Sequence, residues 1–309
     1  MQLLTRIRSD FLNNLSFTFK KNTNEKPMKT ILFPTDFSEN AMHAAKYASM
    51  LARRFDAKLI ILHVFSNVIS LGTDLNMINE TTLLEKQLHE NSMKNLEIFS
   101  EKVFHNTELP EVQIEHRLVY GFVTEGIVEM SKSLDVDMIV MGTKGVSNIF
   151  DKWMGSNAEN VVKSAKCPVW VVPVGSPLTV PHLFLYAADF EENEIAATQT
   201  LLDFSVPLGA SCKVIHIHEY FDEEVNKKST ETIAELNIEF EGSNITFKDL
   251  NRKEIVAGIA TYTKTHKPDV LALAVYEKSI FSNLFDSSIS KHFLEEAKIP
   301  MLIFKKEKS

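Results

Sequence analysis

Two divergent copies of one sequence pattern lie along this chain of 309 residues, and the repeat restricts the possible folds more than any other feature. Each copy has a short apolar run, an Asp-Phe pair, a helical pattern and a second apolar run. The pair is Asp36-Phe37 in the first copy and Asp189-Phe190 in the second. The enclosing apolar runs are 30–33 and 58–65 in the first copy and 182–186 and 213–220 in the second. Both copies therefore predict a strand, a turn, a helix and a second strand.

The far ends of the copies also match, at a constant offset and without a gap. The matching runs are 137–141 with 269–273 and 168–172 with 300–304. Between the copies, the segment 173–181 contains three prolines and one glycine, which interrupt both helices and strands. A chain of this length also exceeds what one core usually organises. We therefore expect a flexible extension over 1–27, one domain over 28–176 and a second over 177–309.

Within each copy, short apolar runs alternate with helical patterns, which is typical of parallel strands covered on both faces by crossover helices. In the first copy we expect strands near 30–34, 58–64, 112–118, 137–141 and 169–173. We expect helices near 38–55, 80–105, 122–134 and 156–166. The sequence thus predicts an α/β fold with two tandem doubly wound domains, each built on a five-stranded parallel sheet.

Composition argues against several classes of partner. The formal net charge is -8, so no basic field attracts nucleic acid. Cys167 and Cys212 are the only cysteines, too few for a disulfide framework, which favours a reducing compartment such as the cytoplasm. Polar and charged residues interrupt the start of the chain, and no apolar stretch approaches the ~20 residues of a membrane span. We expect neither a nucleic-acid nor a membrane partner.

A glycine-rich segment between the fourth strand and the fourth helix is the strongest chemical signal. Gly142 and Gly145 are followed, after nine residues, by Gly155, Ser156 and Asn157. Glycine permits close backbone approach, and the amides of a loop and a helix start point at an anion. The hydroxyl and the side-chain amide after the third glycine can add donors. The spacing therefore predicts a phosphate site, although loop glycines often serve only as turns.

The spacing Gly-x2-Gly-x9-Gly-Ser resembles the ATP-binding signature of the universal stress protein family. The turn from Pro34 to Ser38 resembles the first-strand turn of the same family, and the resemblance extends from Met28 to about Lys305. It implies a Rossmann-like, HUP-type sheet of order 3-2-1-4-5, in which the ends of strands one and four flank the ligand crevice.

The resemblance implies that the ligand is ATP, with or without Mg²⁺, or another adenine nucleotide. Thr35 and Asp36 would meet the adenosine end, and the backbone of Val64 would lie beside the base. The residues around the phosphates would be Met141, Gly142, Gly145, Gly155, Ser156 and Asn157. Asp36 has a second possible role, as the cap of the helix that begins near Ser38.

Other candidate residues are weaker. Lys144 could balance phosphate charge, but a single loop lysine is usually solvated. His63, near the end of strand two, is expected to be a packed strand histidine, and the aligned copies pair it with His218. His216 and His218 share one strand face, the minimum geometry of a metal pair, but no third ligand is evident. We predict no catalytic residue and no metal site.

The second copy lacks the glycines of the first. The positions of Gly142, Gly145, Gly155, Ser156 and Asn157 hold Ala274, Glu277, Ser287, Ser288 and Ile289. Each added Cβ hinders close backbone approach, and the glutamate would repel phosphate. Asp189 persists, but a turn aspartate can serve as a cap alone. We therefore expect one nucleotide per chain.

These features favour a nucleotide-dependent stress sensor or regulator with an unknown protein partner over an enzyme. The crevice has no Walker Lys-Ser/Thr, no paired acidic motif and no cysteine nucleophile. A slow ATPase or nucleotidyl-transfer relative, and a scaffold that binds no ligand, remain the alternatives. The apolar fifth strands over 169–172 and 301–304 could pair within the chain as a pseudo-dimer, and a further homodimer stays open.

Overall fold

The computed structural model describes residues 28–65, 75–104, 112–143, 154–190, 193–218, 223–252, 254–275 and 298–306. The strands are β1 (Thr30–Pro34), β2 (Lys58–Phe65), β3 (Ile114–Tyr120), β4 (Met138–Gly142), β5 (Val169–Val172), β6 (Leu183–Ala188), β7 (Ser211–His218), β8 (Ile245–Asn251), β9 (Val270–Val275) and β10 (Met301–Lys305). The helices are α1 (Glu39–Phe55), α2 (Leu75–Phe104), α3 (Val123–Ser133), α4 (Ser156–Ser164), α5 (Glu194–Ser205), α6 (Glu223–Glu239) and α7 (Ile255–His266).

All ten strands belong to one sheet of order β3-β2-β1-β4-β5-β10-β9-β6-β7-β8. Each half has the order 3-2-1-4-5, so the predicted pair of doubly wound α/β units is confirmed. Pairs within each half are parallel, whereas β5 and β10 pair antiparallel, with Trp170 opposite Leu302. The fifth strands therefore join the two halves into a continuous sheet.

The core is continuous across this junction. Trp170 of β5 is fully buried, and its ring lies 5.8 Å from that of Phe184 in β6 and 6.3 Å from that of Phe204 in α5. Tyr47 of α1 packs on the same indole, with the ring centroids 6.0 Å apart. Side chains from both copies thus fill one apolar layer. The predicted boundary near 176 lies between β5 and β6, in a segment without helix or strand, and it stays a prediction.

The sheet register corrects our alignment of the second strands. Counted from the Asp-Phe turns, His63 corresponds to His216 and not to His218. The strand pairs that fix this register are Pro34 with Leu62 in the first half and Ala187 with Ile215 in the second. The error arose because the two β7 histidines are two residues apart, and a shift of two residues preserves the inward and outward pattern of a strand.

Two predicted boundaries were also displaced. β3 spans 114–120 instead of 112–118, because it pairs with β2 as far as the contact of Phe65 with Tyr120. α2 begins at residue 75 instead of 80. Among the helices of the described ranges, none combines the length and apolarity that a membrane span requires.

Candidate functional site

The carboxyl ends of β1 and β4 lie side by side in the first half of the sheet. Leu32 pairs with Ile139 in parallel. Beyond this pair β1 continues beside β2 and β4 beside β5, so Thr35 and Gly142, far apart in sequence, lie at the two strand ends that flank the switch point. Thr35 is buried and Gly142 is half-buried, while the side chain of Met141 points into the core. The turn after β1 and the start of the glycine loop after β4, from which the nucleotide site was predicted, therefore lie at one edge of the sheet.

The glycine loop leaves β4 and returns to the same place. The amide of Thr143 donates to the carbonyl oxygen of Val172 at 3.2 Å, which anchors the exit of the loop on β5. The amide of Gly155 donates to the carbonyl oxygen of Thr143 at 2.7 Å, which closes the loop. Gly155 thus lies beside the end of β4. Lys144 and Gly145 lie outside the described residues.

The helix start after this loop has the features of an anion site. Gly155 is the N-cap of α4, with φ -69° and ψ 155°, and has no side chain that could accept from the first-turn amides. Ser156 and Asn157 are exposed at that start. By contrast, α1 is capped in the usual way, since the amide of Ala41 donates to Ser38 Oγ at 3.1 Å. The amino end of α4 can therefore accept an external anion.

The turn after β1 is held by local hydrogen bonds. The amide of Thr35 donates to the carbonyl oxygen of Leu62 at 2.8 Å, and Thr35 Oγ1 accepts from the amide of Phe37 at 3.0 Å. Asp36 Oδ1 accepts from the amide of Ser38 at 3.1 Å. The cap of α1 is thus Ser38, and not Asp36 as the alternative reading of the sequence had it. Asp36 is half-buried and shapes the turn after β1.

The phenylalanine of each Asp-Phe pair has a left-handed backbone. Phe37 has φ 64° and Phe190 has φ 49°. Such a conformation costs a residue with a Cβ about 1 to 2 kcal/mol. Ring packing holds it, because Phe37 lies 4.3 Å from His63 and 5.9 Å from Phe99, and Phe190 lies 4.5 Å from His216. Both copies thus keep the same strained turn and the same Phe-His contact.

His63 packs in its strand, as predicted, but it also supports the turn. Its Nδ1 donates to the carbonyl oxygen of Thr35 at 2.8 Å, and its ring stacks on Phe65 at 6.4 Å. The sequence reasoning missed this bond because it joins two strands. The recurrence of a histidine near the end of both second strands was the only available signal.

A glycine within α3 brings that helix close to the predicted base site. Val64 is buried, and a Cβ built on Gly126 would lie 3.1 Å from both of its methyl groups. The second copy repeats the arrangement, since a Cβ on Gly258 of α7 would lie 2.9 Å from Cδ1 of Ile217. A glycine inside each helical pattern is the sequence signal for these contacts.

The equivalent crevice of the second copy contains an internal ion cluster. The ammonium of Lys306 forms ion pairs with Asp189, the counterpart of Asp36, and with Glu194 at the start of α5. Burial raises the pKa of Glu194, and the charge of Lys306 opposes that rise. The position of Gly142 is held by Ala274, which is buried in β9. The other predicted replacements, Glu277, Ser287, Ser288 and Ile289, lie outside the described residues.

The paired histidines of β7 face a carboxylate. Asp249 of β8 has Oδ1 3.0 Å from His216 Nδ1 and Oδ2 3.3 Å from His218 Nε2. Burial lowers the pKa of His216, and the bond to Asp249 opposes that change. Within the described ranges, no group of three or more acidic, histidine or cysteine side chains could hold a metal ion. The trio forms a hydrogen-bonded cluster under α6, where Ser229 also contacts His216.

Comparison with known proteins gives a consistent family. The family model described as the universal stress protein family matches residues 27–173. Universal stress protein MJ0531 of Methanocaldococcus jannaschii is 34% identical over 148 residues, which are 48% of this chain and 84% of that protein. Universal stress protein MJ0577 of the same organism is 32% identical over 156 residues, covering 47% of this chain and 94% of that protein.

Solved structures extend the likeness to both halves. A universal stress protein from Archaeoglobus fulgidus has a TM-score of 0.61 and 17% identity, covering 91% of this chain and 97% of that one. A putative universal stress protein from Pseudomonas aeruginosa has a TM-score of 0.56 and 12% identity, covering 91% of this chain and 94% of that one. At such identities the likeness concerns the fold, and it includes the tandem arrangement.

Proposed function

Because this chain belongs to the universal stress protein family, whose members are stress-response proteins, we propose that it binds one adenine nucleotide in its first domain. The site is the crevice at the carboxyl ends of β1 and β4. The ligand is ATP, with or without Mg²⁺, or another adenine nucleotide. Residues 28–176 form this domain, and residues 177–309 form a second domain that binds none.

One observation supports the proposal: the chain returns to the end of β4 at Gly155, on the same edge of the sheet as the Thr35–Asp36 turn. The parallel pairing of β1 with β4 supports the shared edge, and the bond from the Gly155 amide to Thr143 supports the return. The start of α4 then offers amides to the phosphates, with Ser156 and Asn157 as further donors. Gly142 and Gly145 would let the backbone approach closely.

The adenosine end lies on the other side of the crevice in this proposal. Thr35 and Asp36 contact the nucleoside, and the backbone of Val64 borders the base. His63 fixes the turn from β2, and Gly126 lets α3 approach Val64. These contacts bring together groups from β1, β2 and α3, a common arrangement at the switch point of an open α/β sheet.

We propose a regulatory rather than a catalytic role. Nucleotide binding links the turn before α1 to the start of α4, so occupancy can change the surface that a protein partner meets. The chemistry of the crevice supports this, because its described side chains are hydroxyl, amide, a single carboxylate and the His63 imidazole, whose Nδ1 is bonded to the carbonyl oxygen of Thr35, and none of them is a base positioned beside a nucleophile. The cytoplasm is the proposed compartment.

Substitution of Gly155 tests the site. Its backbone is extended, a conformation that valine adopts without backbone strain, and the new side chain would hinder a ligand that approaches the backbone closely. We expect G155V to raise the Kd for ATP by about 100-fold, measured by calorimetry, since several charge-assisted hydrogen bonds weaken together. The control is S164V, at the exposed far end of the same helix. Unchanged affinity in G155V would refute the site.

The state of the copurified nucleotide distinguishes a regulator from the alternatives. We expect intact ATP in the freshly purified protein, identified by mass spectrometry after extraction. ADP in the purified protein, together with conversion of added ATP to ADP, would favour a slow ATPase. Protein that contains no nucleotide and rejects added ATP would favour a scaffold.

A further inference from the structure

The carboxyl edge of the second half contains a buried ammonium group. The side chain of Lys306 is 0% exposed, and the side chains of its partners Asp189 and Glu194 are 6% and 4% exposed. A buried ion of this kind persists only when its partners satisfy it. The three charges therefore form a closed acidic pocket around one cation.

The chain reaches this pocket from the far side of β9. The amide of Lys306 donates to the carbonyl oxygen of Val275 at 3.4 Å, which places the residue just after β10. Since β9 lies between β10 and β6, the lysine side chain crosses the end of β9 to meet Asp189 after β6. This path runs through the equivalent of the β4 loop exit in the first half.

The first copy carries no charge at the two positions that correspond to Lys306 and Glu194. By the repeat alignment, these positions hold Val174 and Ala41. The second copy thus has both an ammonium and an additional carboxylate at the switch point, while Asp189 keeps the place of Asp36. A merely degenerate site would lack groups, whereas here two complementary charges are present.

The space left beside the cluster is small. A cleft of about 40 Å³ adjoins Asp189 and His216, with apolar walls from Ala187, Ile215 and Ile259. One or two water molecules need this much room, and a nucleotide needs far more. Neither Lys306 nor Glu194 lines this cleft, so it lies beside the ion cluster and not within it. The two carboxylates of the cluster would repel a phosphate, and their charge suits a cation.

We propose that the second crevice is a site for a primary ammonium group, occupied within the chain by Lys306, and not a degenerate nucleotide site. An ammonium group presents three donors and one positive charge, which match two carboxylates on one side. This inference does not depend on nucleotide binding in the first domain.

The proposal is tested by removing the Lys306 ammonium through mutation and then supplying a free primary amine in solution. We expect K306A to lower the Tm by about 10 °C, because two buried carboxylates lose their cation. Addition of n-propylammonium should recover much of the lost Tm, and the recovery should saturate with amine concentration. Tetramethylammonium and Na⁺ at equal ionic strength should not. K305A is the matched control, since Lys305 is exposed and adjacent, and its Tm should not respond to the amine.

The pH dependence separates lost charge from lost packing. In K306A the deficit should shrink as the pH falls from about 8 to about 5, because protonation of the unpaired carboxylates removes their repulsion. A deficit independent of pH, or no rescue by the primary amine, would overturn the proposal. If K306A is not recovered folded, the refolding yield with and without n-propylammonium supplies the readout, and no gain in yield would overturn it.

Nucleotide stoichiometry gives an independent outcome. K306A should bind no more ATP than the wild type. A second equivalent of ATP in K306A would show that the lysine merely blocks a nucleotide site, which would also overturn the proposal. If the wild type bound no ATP, the rescue of K306A by the amine would still be expected. Failure of one proposal can therefore be distinguished from failure of the other.

Discussion

His63 donates a hydrogen bond from Nδ1 to the carbonyl oxygen of Thr35 at 2.8 Å and thereby ties the end of β2 to the turn after β1. Val64, the residue after His63, borders the proposed base site, and Asp36 is the residue after Thr35. One histidine therefore sets the spacing between the two segments that border the proposed nucleoside site.

Removal of this bond should weaken nucleotide binding. We expect H63L to raise the Kd for ATP about three- to tenfold, since a net hydrogen bond of this kind contributes about 0.5 to 1.5 kcal/mol. H216L is the internal control, because His216 makes the same ring contact in the second copy but bonds to Asp249. Calorimetric titration of both variants gives the comparison. Equal losses in H63L and H216L would contradict the role of His63.

The left-handed Phe37 makes a prediction about stability. F37A should lower the free energy of unfolding by about 2 kcal/mol, because it removes the ring contacts of a half-buried side chain while the backbone strain remains. F37G loses the same contacts but tolerates positive φ, so it should be more stable than F37A by about 1 kcal/mol. Urea denaturation measures both. A glycine variant less stable than the alanine variant would contradict the strained turn.

The helix glycines provide a matched pair. G126A should destabilise the protein by about 1 to 3 kcal/mol, since the new methyl group would press on Val64. G258A should cost a similar amount through Ile217. Only G126A should affect ATP, with a Kd raised about tenfold. If G258A weakened ATP binding equally, Val64 would have no special place in the site.

The fold could be predicted from the sequence because the repeat gave two independent views of each element. The Asp-Phe turns and the apolar fifth strands follow from local patterns, whereas the order 3-2-1-4-5 came from the family resemblance and is confirmed by the structure. The bond from His63 to Thr35 and the ion pairs of Lys306 could not be predicted, because each depends on which strands become neighbours. The pairing of His63 with His218 was wrong because the two β7 histidines fit the strand pattern equally well, and the strand register, which agrees with the count from the Asp-Phe turns, identifies His216.

The buried His216 predicts how stability depends on pH. Its pKa lies below the ordinary value of 6.5, chiefly through burial, so the unfolded chain binds this proton more readily than the folded one. Its contribution to stability is therefore present above pH 6.5 and is lost as the pH falls through the lower folded pKa. Burial lowers the pKa of His43 and His116 in the same direction.

We accordingly expect the Tm of the wild type to fall as the medium is acidified below about pH 6.5. H216Q keeps a donor towards Asp249 but cannot titrate, so its Tm should fall less over the same range. Thermal scans in a series of buffers give the two profiles. Parallel profiles for wild type and H216Q would contradict this assignment.

The central claim is that one crevice, in the first half, holds one adenine nucleotide. Native mass spectrometry of the whole chain with increasing ATP measures the number bound directly. We predict a single saturable adduct per chain, lost in G155V and retained in K306A. Two adducts at saturation, or none, would contradict the account.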